Sequence, residues 1–164
     1  AAVLPQMPGV ELHIVGPLTL PEKGDPKVMA QMNARARRHG LMSYRAMHDF
    51  LRGMDINLAP LAPGVFNDAK SELKIFEAAL HGVPTIASPT AGHRATIRSG
   101  QDGILAQTQA DWDRALRSLI GDAALRADMG ARARADIVPR FTAAGAAARL
   151  VVFLETLIDQ EGKP

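Results

Sequence analysis

The residues best suited to chemistry in this chain fall in one stretch, Asn67 to His81. The spacing predicts a helix capped by Asn67 or Asp68, running through His81 and ended by Gly82. At 100° per residue, Leu73, Phe76 and Leu80 form an apolar stripe. Beside it lie Glu77, Lys70, His81 and Lys74, in that angular order. Two lysines four residues apart repel by roughly 0.2–0.5 kcal/mol. Lys70 also falls in the first helical turn, where the dipole disfavours a cation. An anion bound at the helix start reverses both penalties, because free backbone N–H groups add to the two charges. A carboxylate at the edge of the stripe, Glu77, can accept hydrogen bonds from a sugar diol. Together these groups fit a nucleotide, with phosphate at the helix start and ribose two turns on. A plainer surface fits the same spacing: a Lys74–Glu77 pair, a solvated Lys70, an ordinary Ser71 hydroxyl and a polar His81 before the glycine.

Other chemistries find no support. The 164 residues include no cysteine, so disulfide frameworks, thiolate zinc sites and cysteine nucleophiles are excluded. Histidines 13, 39, 48, 81 and 93 show no H-x-x-H or H-x-x-x-H spacing. Asp111-Trp112-Asp113 matches a D-x-D pattern, yet it reads as acidic residues at a helix start. No metal site is expected. The G-x-G-x-x-G, G-x-x-x-x-G-K-[ST] and G-x-S-x-G signatures are absent, which disfavours dinucleotide, P-loop and nucleophile-elbow chemistry. Nineteen basic residues against 17 acidic ones leave a net charge of only +2. Charge is spread along the chain, and one Trp, one Tyr and five Phe offer few stacking platforms. Nucleic acid is therefore not an expected partner. No apolar stretch approaches the ~20 residues of a membrane span.

The elements that must position these groups alternate. Strands are expected at Val10–Val15, Arg35–His39, Ile56–Pro60, Val83–Ser88 and Ile104–Ala106. Helices are expected from Pro26 to Asn33, from a Ser43 cap through Arg52, and over His93–Arg98. Beyond residue 110 the chain is helical: Ala110–Ile120, Ala123 to about Asp136 before a break at Pro139, and a last helix from a Thr142 cap through Gln160. That last helix carries a stripe of Leu150, Val151, Leu154, Leu157 and Ile158, expected to be buried. Tyr44 and Trp112 are expected to fill gaps under loops. Residues 10–106 thus alternate and 110–160 are helical, within a single domain over 1–164. The pattern predicts a Rossmann-like parallel sheet covered by helices, with ligands at the carboxyl ends of its strands. The opening lacks an initiator Met, and Ala1–Leu4 reads as a helix tail, so a piece of a longer chain is expected.

The segment Glu77-Ala-Ala-Leu-His-Gly-Val-Pro-Thr-Ile-Ala-Ser resembles the E-A-x-A-x-G-x-P-V-[IV]-A-[ST] block of GT-B glycosyltransferases, specifically the retaining enzymes of glycosyltransferase family 4. Val10–Gly16 is similar to that family's V-x-L-x-I-V-G strand, and Asp55-Ile-Asn-Leu-Ala-Pro to its [AM]-D-[VI]-x-[LV]-x-P strand. Ser99–Leu105 and Arg140-Phe141-Thr142 resemble its x-G-x-[DN]-G-[LI]-L and R-[FY]-[ST] segments. The likeness runs over about residues 10–160.

The resemblance implies the C-terminal, donor-binding half of a GT-B enzyme. Such an enzyme would move a sugar from a nucleotide-diphosphate donor to a glycan or lipid-linked acceptor, with retention and without a metal or other cofactor. Glu77 matches the second Glu of the family's Glu-x7-Glu motif, which hydrogen-bonds ribose. Lys70, Ser71, Glu72 and Leu73 match the turn whose backbone amides meet the diphosphate and donor sugar. Gly40, Met42 and Ser43 match the loop beside the nucleobase. The first Glu of the motif falls on Ala69, and Asn67–Lys74 resembles an A-K-S-x-[LI]-K variant of polysaccharide-assembly members. No catalytic residue is assigned. The family's first strand and N-terminal acceptor domain would precede residue 1. The resemblance also implies cytoplasmic residence, with peripheral association at the inner membrane face. A non-catalytic nucleotide-binding module and a nucleotide-sugar epimerase are the alternatives on the same fold.

Overall fold

A computed structural model describes residues 6–7, 9–18 and 26–161. The helix tail expected at Ala1–Leu4 and the loop expected after Leu18 fall largely outside these residues. In chain order the elements are β1 (Leu12–Val15), α1 (Pro26–Arg35), β2 (Ala36–His39), α2 (Tyr44–Leu51), β3 (Asn57–Ala59), α3 (Val65–Asp68) and α4 (Leu73–Leu80). They continue with β4 (Thr85–Ala87), α5 (Ala91–Thr96), β5 (Ile104–Leu105), α6 (Gln109–Gly121), α7 (Ala123–Phe141) and α8 (Ala143–Glu161).

Among the described residues every strand pairing is parallel, as the alternation demands. β1 pairs with β2, and β3-β4-β5 form a second sheet. Leu12 lies opposite Ala36, Asn57 opposite Thr85, and Ile86 opposite Ile104. β4 is buried along its length, Thr85 included, as expected of a strand covered on both faces. Ala87 faces a cluster with Ala59, Ile75, Ala79 and Ile137. Ile86 faces the opposite cluster, with Leu119 and Met129, where Trp112 also packs. Ser43, Thr90, Thr108 and Asp122 each cap the helix that comes after them. At α6 the cap is reciprocal: hydrogen bonds from Thr108, backbone first, hold the Asp111 carboxyl at about 2. Asp111 therefore serves a helix start, as its position suggested.

Several expectations need correction. The helix expected over 68–81 is two helices. Asp68 Oδ1 accepts the Ala91 N–H at 3.1 Å, and Asn67 Nδ2 donates to Ala62 O at 2.8 Å. Both side chains are committed elsewhere and cannot cap a continuous helix, so the chain turns through Ala69–Glu72 and restarts at Leu73. The buried face of α4 is Ile75, Ala78 and Ala79, not the Leu73–Phe76–Leu80 stripe; Leu73 is exposed. α4 lies between the sheet and α7, and the close helix contact selects its alanines. Pro139 does not stop α7, which runs to Phe141. The carbonyl that Pro139 leaves unpaired, at Ala135, belongs to an exposed residue and stays wet. Tyr44 is exposed, with its ring edge against His48. The α8 stripe is not buried: Leu150, Val151, Leu154, Leu157 and Ile158 are 42–68% exposed. Periodicity reports an apolar face, not what covers it. No single helix among the described residues is long and apolar enough to cross a membrane, and the pair α7–α8 is bent by 59°.

Two contacts fix α4 from behind. A Cβ added at Gly130 of α7 would overlap the Gly82 carbonyl just past α4, so these helices meet backbone to backbone. His81, at the C-cap of α4, meets His48 of α2 at 2.8 Å between Nε2 and Nδ1. One of the two rings must be neutral to accept. Burial, and then the neighbouring His48, hold His81 below its ordinary value of 6.5.

Gly130→Ala should destabilise the fold. Ala gains about 1 kcal/mol in helix propensity, but forcing two backbones apart costs about 1–3 kcal/mol. Urea denaturation monitored by circular dichroism measures the net. Because native His81 resists the proton that the unfolded chain accepts, stability should be full above about pH 6.5 and decline as pH falls below it. Denaturation midpoints between pH 7.5 and 5 would show the slope, and His81→Gln should flatten it.

Candidate functional site

β3 and β4 end side by side, and Ser88 ties together the loops that leave them. Its N–H donates to Ala59 O at 3.1 Å, and its Oγ accepts the Leu61 N–H at 2.9 Å. Its carbonyl accepts the Thr90 N–H at 2.9 Å and His93 Nδ1 at 2.7 Å. A carbonyl cannot donate, so Nδ1 carries the hydrogen. The Thr90 cap on the His93 N–H completes the turn, and His93 is 3% exposed.

The opposite wall is the α3–α4 turn. Asn57 Nδ2 donates to Lys74 O at 3.1 Å and to Thr85 Oγ1 at 3.0 Å, pinning the start of α4 to β3 and β4. Lys70 Nζ lies 4.8 Å from the centre of the Phe66 ring. The N–H groups of Leu73 and Lys74, at the helix start, have no intrahelical acceptor. Between the walls is a cavity of about 320 Å³ lined by Ala59, Leu61, Lys70, Ser71, Leu73, Lys74 and His93. It sits at the carboxyl ends of β3 and β4, where ligands of open α/β sheets bind.

The structure thus brings together Lys70, Ser71, Leu73 and Lys74. Lys70 and Ser71 stand in the turn before α4 rather than within its first turn. The Lys74–Glu77 pair of the plainer reading is not formed among the described residues. Glu77 lies farther along α4, half-buried and outside the cavity lining. Glu72 rests its carboxylate against Gly92, where any side chain would displace it. Gly40, Met42 and Ser43 form the β2–α2 loop and are not part of the cavity lining. Ser43 caps α2 through the Ala46 N–H, and neighbouring Leu41 approaches Gly16 at the end of β1. His93 and Leu61 had no role in the sequence reading. The only signal was their place in the turns after β3 and β4.

A larger cavity, about 1040 Å³, lies between the β1 and β3 regions. Leu12, Ile56, Leu58, Trp112 and Leu116 make its wall largely apolar. It holds none of the residues matched to a nucleotide site, whereas Lys70, Ser71, Leu73 and Lys74 line the smaller one.

A family model described as glycosyl transferase-like matches residues 1–151. The chain belongs to that family. Among solved structures, sucrose-phosphate synthase from Thermosynechococcus elongatus aligns with a TM-score of 0.69 and 18% identity, covering 97% of this chain and 41% of that one. HepE of Anabaena, in complex with UDP, gives 0.67 and 20%, covering 94% and 43%. The S. aureus TarM G117R mutant, in complex with fondaparinux, alpha-GlcNAc-glycerol and UDP, gives 0.67 and 16%, covering 93% and 30%. These likenesses carry the fold, a Rossmann-like half of the GT-B architecture. The chain spans less than half the length of each. No curated protein matches the sequence.

Ser88→Ala in this glycosyl transferase-like chain should leave the Leu61 N–H without its acceptor. A loss of about 1–2 kcal/mol is expected, read from denaturant midpoints. Amide exchange should accelerate at Leu61 while β4 stays protected.

Proposed function

We propose that the chain binds the nucleotide-diphosphate sugar of a glycosyltransferase, as the C-terminal donor half of a GT-B enzyme. The observation that carries this reading is the cavity at the carboxyl ends of β3 and β4, with Lys70 and Lys74 beside the start of α4. Neither lysine forms an ion pair among the described residues. Two cations and two free N–H groups suit a diphosphate, and the charge that grows on it as the sugar departs is stabilised by the same groups. Binding of UDP by HepE and TarM supports the ligand class. Glu77, farther along α4, is assigned to the ribose hydroxyls, and the Gly40–Ser43 loop, including Met42, to the base. The reaction proposed is transfer with retention and without a metal, to a glycan or lipid-linked acceptor held by an N-terminal half. The proposed place is the cytoplasm, at the inner membrane face where the acceptor is lipid-linked.

Ala69 favours a second reading. It offers no carboxylate to a donor sugar, and neighbouring Asp68 is already bonded to the Ala91 N–H. A nucleotide-binding module without transfer activity would have this feature. Supplying the acceptor half and finding neither donor hydrolysis nor transfer would select it. Appearance of an epimer in place of transfer would select an epimerase.

Calorimetric titration with UDP, GDP and ADP tests the site. One diphosphate should bind, and Lys70→Ala or Glu77→Ala should weaken it by about 1.5–3 kcal/mol, the range for hydrogen bonds to charged groups. Lys70 is exposed in the turn before α4 and Glu77 lies off the buried face of that helix, so melting temperatures should hold. Variants that melt early but bind normally would make these residues structural, and no binding by any diphosphate would overturn the reading.

A further inference from the structure

We infer that His93 is a specificity residue, whose Nε2 accepts a hydrogen bond from a hydroxyl of the donor sugar. The inference rests on the nucleotide-sugar reading above and extends it to a residue that reading does not use.

Four observations carry it. First, His93 is 3% exposed, yet it lines the cavity that Lys70 and Lys74 also line. Second, its orientation and tautomer are set. Nδ1–H is given to Ser88 O at 2.7 Å, so in the neutral ring Nε2 bears the lone pair. Third, Nε2 has no hydrogen-bond partner among the described residues. The only fully buried side-chain polar atom lacking a partner there is His48 Nε2. His93 Nε2 therefore reaches open space, and the cavity is the space that His93 borders. Fourth, the cavity divides its labour by charge. The lysines on the α4 side suit phosphate oxygens. A bare imidazole lone pair repels a phosphate oxygen, which is itself an acceptor, and attracts an O–H. In a nucleotide sugar bound by its diphosphate to the lysines, the hydroxyls nearest the phosphates belong to the sugar. An unsatisfied acceptor at a site floor also penalises ligands that lack the hydroxyl, which is how polar pockets discriminate.

The test separates the two nitrogens. In His93→Asn the side-chain amide takes the place of Nδ1 and keeps the Ser88 bond, but nothing occupies the place of Nε2. In His93→Gln the amide reaches the place of Nε2. The protein and both variants are titrated with UDP, GDP and ADP, and with UDP-glucose, GDP-mannose and ADP-glucose. For the base that binds, His93→Asn should lower the preference for sugar nucleotide over diphosphate by about 3- to 10-fold, the scale of one hydrogen bond. Its affinity for the diphosphate should stay within about twofold. His93→Gln should recover part of the preference. An unchanged preference in His93→Asn, or an equal loss for both ligands, would overturn the assignment while leaving the diphosphate site standing. No diphosphate binding by the unaltered protein would overturn the underlying reading, and this one with it. A measurement on the unaltered protein covers the case of a misfolded variant. The ¹⁵N resonance of His93 Nε2 should move on adding the sugar nucleotide but not on adding the diphosphate. An equal response to both would overturn the inference.

Discussion

Ser88 is the joint on which the site depends. One residue after the central strand, its N–H, hydroxyl and carbonyl all bond to different segments. The N–H extends the β3–β4 ladder by one rung. The hydroxyl draws in the loop after β3, and the carbonyl holds both the turn into α5 and the His93 ring. A serine at this position is what a parallel sheet needs where its ladder runs out. The loops there diverge, and their backbone groups would otherwise be buried without partners. The cavity wall on the strand side is shaped by this joint. The wall on the helix side hangs from Asn57, which likewise serves two segments at once.

Much of the fold was legible because it is local. Caps at Ser43 and Thr142, the glycine after α4, and the strand residues Ile86 and Leu58 arise from patterns within a few positions. What the chain hid was long-range. Asp68 looks like a cap for the next helix, but its partner is Ala91, 23 residues later. With Asn67 also committed, to Ala62, the expected helix splits and Lys70 and Ser71 move from a helical turn into a connection. The buried face of α4 is likewise set by a distant neighbour. Leu73, Phe76 and Leu80 make the longer apolar stripe, but the backbone-to-backbone meeting of Gly82 and Gly130 brings α7 close enough that the buried face carries Ala78 and Ala79 beside Ile75. The α8 stripe shows the limit of periodicity, which describes one helix and not its neighbour.

Within the site, the cations were legible and the histidine was not. Two lysines four apart stand out because they are unfavourable on a bare helix. His93 carries no such signature, since a histidine among small residues after a strand is compatible with any turn. Its standing comes from the hydrogen bond to Ser88 and from its burial, both tertiary facts. The electrostatics are asymmetric as a result: positive charge outside the ion pairs of the described residues on the α4 side, a fixed polar atom on the strand side.

The glycine contact between α4 and α7 has an evolutionary consequence. Because no side chain fits at Gly130, this part of the scaffold cannot drift without moving a helix that borders the cavity. The loops after β3 and β4 are held at their roots by Ser88, and the connection between β3 and α4 carries the exposed cavity residues Lys70 and Ser71. Substitutions there alter what the cavity meets while leaving the frame untouched. The architecture therefore separates frame from contact: the helix pair fixes the scaffold, and a short span of exposed residues sets what the cavity presents.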